Sequence, residues 1–398
     1  MRLPLPELLL IHFIILSTND MKSSQNKIRI LECIRQGKIG GGETHVLDLV
    51  AGLDKDRFEP IVLSFTDGPM VDNLNSMGVK TEVVHTEQGF DVSKWNQVRA
   101  IIKREKIDIV HAHGTRACSN VFWAAKSLGI PLVYTIHGWS FHQDQNWLVY
   151  KSRELSEQLL TNQANLNINV SFSNQKDGIK HFNIKRSVVI NYGINRKKFD
   201  AFKKYKNICE EIGIPSGKTV VGFIVRITVQ KDPITLIKAF RRVIDKTKDV
   251  VLLVVGNGDL KEEVVHLVQK LDLSNYVVFQ DFRQDVPELL SSIDIYCLPS
   301  LWEGLPIGLL EAMTMRKAIV ATPVDGTKEA IVDGENGLLI PHQNPEKLAE
   351  ALLRLHFDKN LRETIAENAY QTVLKTYGLE RMVNEVQREY LKLIPDPA

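Results

Sequence analysis

The chain holds 398 residues, 44% of them hydrophobic and 25% charged, with a formal net charge of +2. That length exceeds one ordinary hydrophobic core and points to two domains. The near-neutral balance excludes a dedicated nucleic-acid binder, which would be clearly basic. The four cysteines, Cys33, Cys118, Cys209 and Cys297, form no Cys-x-x-Cys pair and each lies in or near an apolar stretch. They read as buried thiols in a reducing, cytoplasmic compartment, not as a disulfide frame or a zinc site.

The first 26 residues form an apolar extension, with "LLLIHFIIL" running from Leu8 to Leu16. Such a run is too short to span a bilayer. It is an unstructured extension or a misplaced start with Met21 as the true one, a membrane-docking segment, or a cleaved signal that lacks a small-residue cleavage site. From Lys27 strands and helices alternate. "KIRILECI" is a strand, "GGGETHVLDLVAGL" a glycine loop opening a helix, and "FEPIVLSF" a strand. "VDNLNSMGV" is a helix and "KTEVVHT" a strand; then come the amphipathic helix "SKWNQVRAIIKREK", the strand "IDIVHAH", the helix "RACSNVFWAAKSLG" and the strand "PLVYTIHG". After "RSVVINYGI" a polar, lysine-rich stretch from Asn195 to Lys206 marks a domain boundary. The alternation restarts with "KTVVGFIVRI" and continues through "VVLLVVGNG", "YVVFQDF", "DIYCLPS" and "KAIVATPV", each followed by a helical pattern, and Pro345 to Leu393 is strongly helical. Short apolar strands alternating with helices predict parallel sheets covered on both faces, hence two consecutive doubly wound α/β domains. Ligands of such sheets sit at the C-terminal ends of the strands, so a cleft shared by the two domains is the expected site.

"SLWEGLPIGLLEAM", from Ser300 to Met313, places Glu303 at a strand end and Glu311 inside a greasy helix that starts near Pro306 or Ile307. Free amides around Gly304, Leu305, Pro306, Ile307 and Gly308 would face the cleft and favour a phosphate or a polar ligand. A buried carboxylate needs a partner: ligand hydroxyls would serve, and so would an internal salt bridge or a solvated helix face. In "VVGFIVRITVQKD", Arg226 and Lys231 follow the first strand of the second domain. They either clamp a diphosphate or sit in a solvated loop. "GNGD" (Gly256 to Asp259) ends another strand; Gly256 and Gly258 admit a base or ribose close to the backbone, or simply make a turn. In the first domain Gly40, Gly41 and Gly42 precede a helix without forming a nicotinamide fingerprint or a P-loop. His111 and His113 end one strand and His137 another. With no matching Asp/Cys cluster nearby in sequence, no metal is expected, and His137 is a hydrogen-bond donor or a base in the cleft. Asp54-Lys55-Asp56 reads as an exposed turn, and no Gly-x-Ser-x-Gly elbow occurs.

Taken in order, "GGGETH", "IVHAHG", "YTIHG", "VSFSNQ…VVINYGIN…F", Arg-x4-Lys, "GNGD" and the Glu-x7-Glu of "EGLPIGLLE" resemble the GT-B retaining glycosyltransferases of family 4, over nearly the whole chain from Lys27. The resemblance implies residues 27–195 as an acceptor-side Rossmann-like domain and 196–375 as the nucleotide-sugar domain. Residues 376–398 would form a helix crossing back to the first domain. It implies a metal-independent transfer, with retention, from a nucleotide-diphosphate sugar, expected to be a UDP-sugar, to a hydroxyl of a glycan or lipid-linked saccharide in polysaccharide biosynthesis. Carried over, Glu311 would bind ribose hydroxyls, Glu303 the donor sugar, Arg226 and Lys231 the diphosphate, and the amides of Gly304 to Ile307 sugar and phosphate. His137 would touch the donor sugar, and Gly41 and Gly42 would lie by the diphosphate or acceptor. The cations and helix-end amides would stabilise the charge that C–O cleavage puts on the diphosphate. The chain departs from the family at Tyr192-Gly193-Ile194-Asn195, often Asn-Gly-Val-Asp, and at Asp232, Asp281 and Asp325, often glycine.

Two other readings share these residues: a catalytically silent glycan-binding or assembly protein, and a sugar-nucleotide epimerase, for which the first domain offers no clear acid/base pair. Arg99, Lys103, Arg104 and Lys106 lie along an apolar-backed helix. That helix is either an ordinary solvated face or a peripheral contact with the anionic inner face of the cytoplasmic membrane.

Overall fold

The computed structural model describes residues 27–38, 40–142 and 145–394. The expectations for residues 1–26 fall outside them. The first domain contains β1 (Ile28–Ile34), α1 (Gly41–Gly52), β2 (Phe58–Ser64), α2 (Pro69–Ser76), β3 (Lys80–Val83), α3 (Val92–Arg104), β4 (Ile109–His113), α4 (Thr115–Ser127), β5 (Leu132–Ile136), α5 (Trp147–Gln163), β6 (Leu166–Asn169), α6 (Phe172–Phe182) and β7 (Ser187–Val189). Its strands form one parallel sheet in the order β3-β2-β1-β4-β5-β6-β7.

The second domain runs through α7 (Ile208–Glu211), β8 (Thr219–Ile224), α8 (Pro233–Lys246), β9 (Val250–Val255), α9 (Lys261–Lys270), β10 (Val277–Gln280), α10 (Val286–Ser291), β11 (Ile295–Leu298), α11 (Ile307–Thr314), β12 (Ala318–Ala321), α12 (Thr327–Ala330), β13 (Leu338–Leu339), α13 (Pro345–Phe357) and α14 (Lys359–Thr376). Its sheet is also parallel, in the order β10-β9-β8-β11-β12-β13. The all-apolar strands have a direct cause: every residue of "VVLLVV" in β9 is buried, because helices cover both faces. In each sheet the strand order reverses once, between β1 and β4 and between β8 and β11. Crevices open at such reversals, and the expected site residues cluster there.

The last helix, α15 (Leu379–Leu393), leaves the second domain and packs on the first. Met382, Val383, Val386 and Tyr390 recur at helical spacing and are buried in the same cluster as Ile30, Leu49, Ile109 and Val133. Burying each such side chain is worth roughly 1.5–3 kcal/mol. α1 meets α15 closely enough that a Cβ at Gly52 would lie 2.7 Å from Val383 Cγ2. The outward and returning chain segments also touch. The Ile194 amide donates to the Tyr377 carbonyl at 2.8 Å, and a Cβ at Gly193 would lie 2.6 Å from Leu379 Cα.

No helix among the described residues is long and apolar enough to cross a membrane. α3 turns its apolar side inward, burying Val98, Ile101 and Ile102. Arg104 is spent on Glu82 and Glu105, and Arg99 donates to Ser127. Exposed apolar side chains lie instead on α5, at Trp147, Leu148, Leu155 and Leu159. All four cysteines are free and buried, and Asp54, Lys55 and Asp56 are exposed.

Candidate active site

β11 delivers the chain to Ser300, and the turn that follows puts Glu303 under the first turn of α11. Glu303 is buried and fully engaged. One carboxylate oxygen takes the Lys231 ammonium and the Ser300 hydroxyl (2.6 Å), and the other faces the Gln230 amide nitrogen at 3.4 Å. Its own amide donates to Asp325 Oδ2 at 2.9 Å. Two residues expected to meet different parts of a ligand, Lys231 and Glu303, therefore hold each other. Pro306 is the extended residue ahead of α11, and its carbonyl closes the first turn. The amides of Gly304, Leu305, Ile307 and Gly308 find no acceptor among the described residues, the state of an anion-ready helix start.

Glu311 is the opposite case. It is 9% exposed, yet its carboxylate accepts no hydrogen bond among the described residues. Burial raises its pKa to about 7; Lys198 pulls against that shift and Asp48 adds to it. Asp48, on α1 of the first domain, is itself raised to about 6, chiefly by burial. Glu311 thus faces the first domain, and a carboxylate so placed has unused acceptor capacity.

Arg226 follows β8 by two residues and is exposed. Its charge reaches Arg35 and Glu43 in the first domain. The loop at Gly256–Asp259 supports it from behind. The Ile227 amide donates to Asn257 O at 3.0 Å, and the Leu260 amide donates to Ile227 O at 3.2 Å. A Cβ would lie 2.0 Å from Val225 O at Gly256 and 2.1 Å from Ile227 O at Gly258. Gly256 also sits at φ +132. The close approach these glycines permit is thus to the protein's own strand end, on either side of Arg226.

The first domain meets this wall directly. A Cβ on Gly41 would lie 3.7 Å from Ile307 Cδ1, and one on Gly42 3.6 Å from the His137 ring. Gly304 packs against the main chain of His137, where a Cβ would lie 1.9 Å from the carbonyl oxygen. His142 stacks on Trp302 with ring centroids 4.7 Å apart. Glu329 of α12 accepts from the amides of Phe172 and Ser173 at 2.9 and 2.6 Å, capping α6 across the cleft. His137 turns both ring nitrogens inward, Nδ1 to the Tyr192 hydroxyl (2.5 Å) and Nε2 to His113 (3.2 Å).

The chain is similar to known proteins along most of its length. Residues 39–198 match the family model described as Glycosyltransferase Family 4, and residues 204–372 match Glycosyl transferases group 1. The UDP-Gal:alpha-D-GlcNAc-diphosphoundecaprenol alpha-1,3-galactosyltransferase of Escherichia coli is 25% identical over 389 residues, covering 94% of this chain and 99% of that protein. The chain is a glycosyltransferase. Its fold is that of HepE from Anabaena, solved in complex with UDP and glucose, with a TM-score of 0.81 at 23% identity, 92% of this chain and 100% of that one. WaaG, a glycosyltransferase involved in lipopolysaccharide biosynthesis, gives 0.73 at 19% identity, covering 90% and 98%.

The structure also brings to the cleft region residues that the sequence motifs did not single out. Glu32 joins His111 and His113, with side-chain oxygen and nitrogen atoms of the three within 4.8 Å of one another. This is the acidic neighbour that sequence distance hid from the His-x-His pair. All three are tied into hydrogen bonds with Tyr390, Thr135 and His137. Glu32 had left one signal, a carboxylate within the apolar run Ile30–Ile34 of β1. Asp48 and Lys198 left none. Two of the family departures have a backbone cause: Asp232 and Asp325 sit at φ 46 and 34, where glycine is at ease and aspartate is tolerated. Asp232 also caps α8 by accepting from the Thr235 amide at 3.2 Å. Asp281 is an exposed partner of Lys261.

Proposed function

We propose that this glycosyltransferase moves a sugar from a UDP-sugar to a hydroxyl of a glycan or lipid-linked saccharide, with retention and without a metal ion. The observation that carries the reading is Glu311: a buried carboxylate with unused acceptor capacity, beside free helix-start amides and within a cleft that Arg226 enters. A nucleotide sugar supplies what each of these lacks. Ribose hydroxyls donate to Glu311, and the diphosphate meets Arg226 and the amides of Ile307 and Gly308. The donor sugar lies near Glu303, Gly304 and Leu305, against the His137–Gly138 main chain. Lys231 serves the diphosphate while it neutralises Glu303. As the C–O bond breaks, fixed cations and oriented amides meet the growing negative charge with little reorganisation.

UDP as the carrier is supported by the complex of HepE with UDP and glucose. A lipid-linked acceptor is supported by the diphosphoundecaprenol substrate named for the Escherichia coli relative. Such an acceptor would hold the protein peripherally at the inner face of the cytoplasmic membrane. The test is a thermal-shift panel of UDP-, GDP-, ADP- and CMP-sugars. A ligand that binds only the native state raises Tm. A UDP-sugar shift that Glu311→Ala abolishes is expected, and no shift with any donor on folded protein overturns the reading. Turnover unchanged by EDTA, and a product with the donor's anomeric configuration by NMR, test the metal and stereochemical parts.

A further inference from the structure

A continuous polar chain crosses the first domain beneath the cleft. Parallel register sets Glu32 beside His111 and Ile34 beside His113, and His113 beside Thr135. With side chains alternating along strands, Glu32, His111, His113 and Thr135 project from one face of the sheet, and His137 follows β5 on the same side. α15 covers that face and drops the Tyr390 hydroxyl onto it.

The proton positions along the chain follow from donor and acceptor counts. Glu32 is fully buried, and its two histidine neighbours hold its carboxyl far below the usual carboxylate range against the effect of burial. An ionised carboxylate only accepts. Tyr390 therefore donates to Glu32 Oε1 at 2.8 Å, and His113 Nε2–H donates to Oε2 at 2.9 Å. Burial holds the His113 pKa at about 4, so the neutral ring has only a lone pair left at Nδ1. His137 Nε2 faces that lone pair at 3.2 Å and must carry the hydrogen. Burial also keeps His137 neutral, so its Nδ1 is bare and accepts from the Tyr192 hydroxyl at 2.5 Å.

We propose that Glu32 is a positioning residue which, acting through His113, fixes His137 as the Nε2–H tautomer with its ring locked between His113 and Tyr192. A locked ring holds the His137–Gly138 main chain against Gly304, at the wall where the donor sugar is placed. The catalytic consequence rests on the donor site proposed above, whereas the tautomer does not.

The experiment uses the full chain with 15N-labelled histidine and long-range 1H–15N correlation at pH 7.5, with the His137 signals assigned by their loss in His137→Gln. The expected result is a single Nε2–H form of His137 in the wild type. In Glu32→Gln the amide offers a donor where the carboxylate only accepted, and the Nδ1–H form of His137 appears. Tyr192→Phe, which removes only the far partner, keeps the Nε2–H form. In turnover with a UDP-sugar, kcat of Glu32→Gln falls roughly tenfold at unchanged KM. A wild-type His137 in the Nδ1–H or imidazolium form overturns the inference, and that spectrum decides even if Glu32→Gln fails to fold. An unchanged His137 tautomer in folded Glu32→Gln also overturns it. The expected tautomers without donor binding would sink the donor site alone.

Discussion

Donor binding should depend on the protonation of Glu311. Its pKa is raised from 4.5 to about 7 because burial disfavours the charged form, with Lys198 opposing that shift and Asp48 reinforcing it. The carboxylate that receives two ribose hydroxyls must be ionised, since the acid form has to place a proton of its own. With a pKa of about 7, the ionised fraction is about one tenth at pH 6 and about nine tenths at pH 8. Affinity for a UDP-sugar should therefore rise roughly tenfold across that range. Binding should release about half a proton at pH 7, seen by isothermal calorimetry in two buffers of different ionisation enthalpy. Glu311→Gln should bind more weakly and without pH dependence. Asp48→Asn should move the midpoint down, by removing a negative charge that Glu311 faces. In the free protein the sign is reversed: a raised acid stabilises the fold below its unfolded value and loses that contribution as pH rises through 7. The loss is about 3 kcal/mol for Glu311. A binding constant that stays flat from pH 6 to 8, with no proton released, would refute the reasoning.

Gly304→Ala puts a Cβ 1.9 Å from the His137 carbonyl oxygen, so the domains must part there by more than about 1 Å, and turnover should fall on the order of 100-fold. Tm should change little, because each domain keeps its own core; a fully active variant would contradict the close packing. Glu329→Ala removes the acceptor of two α6 amides across the cleft. Loss of that cap should raise the donor KM by about tenfold, with kcat at saturation nearly unchanged. Asp232→Ala loses the α8 cap while keeping φ 46. It should cost about 2 kcal/mol in urea unfolding, whereas Asp232→Gly should lie within about 1 kcal/mol of wild type.

The sequence alone settled the two α/β sheets, because a strand buried on both faces must be apolar along its length and a covering helix must show its own period. It also located Glu303, Glu311, Arg226 and His137 at strand ends or helix starts, where parallel sheets gather ligands. Pairings were another matter. Nothing local says that Lys231 meets Glu303, that Asp48 faces Glu311, or that Tyr390 reaches Glu32 from 358 residues away. Nor does it say that Gly256 and Gly258 serve the backbone beside Arg226. Periodicity reports how deeply a residue is buried, whereas its partner depends on strand order and on how the second domain and α15 close on the first. Those long-range closures exist only in the tertiary structure, and they decide which buried carboxylate is already satisfied and which has acceptor capacity left for a ligand.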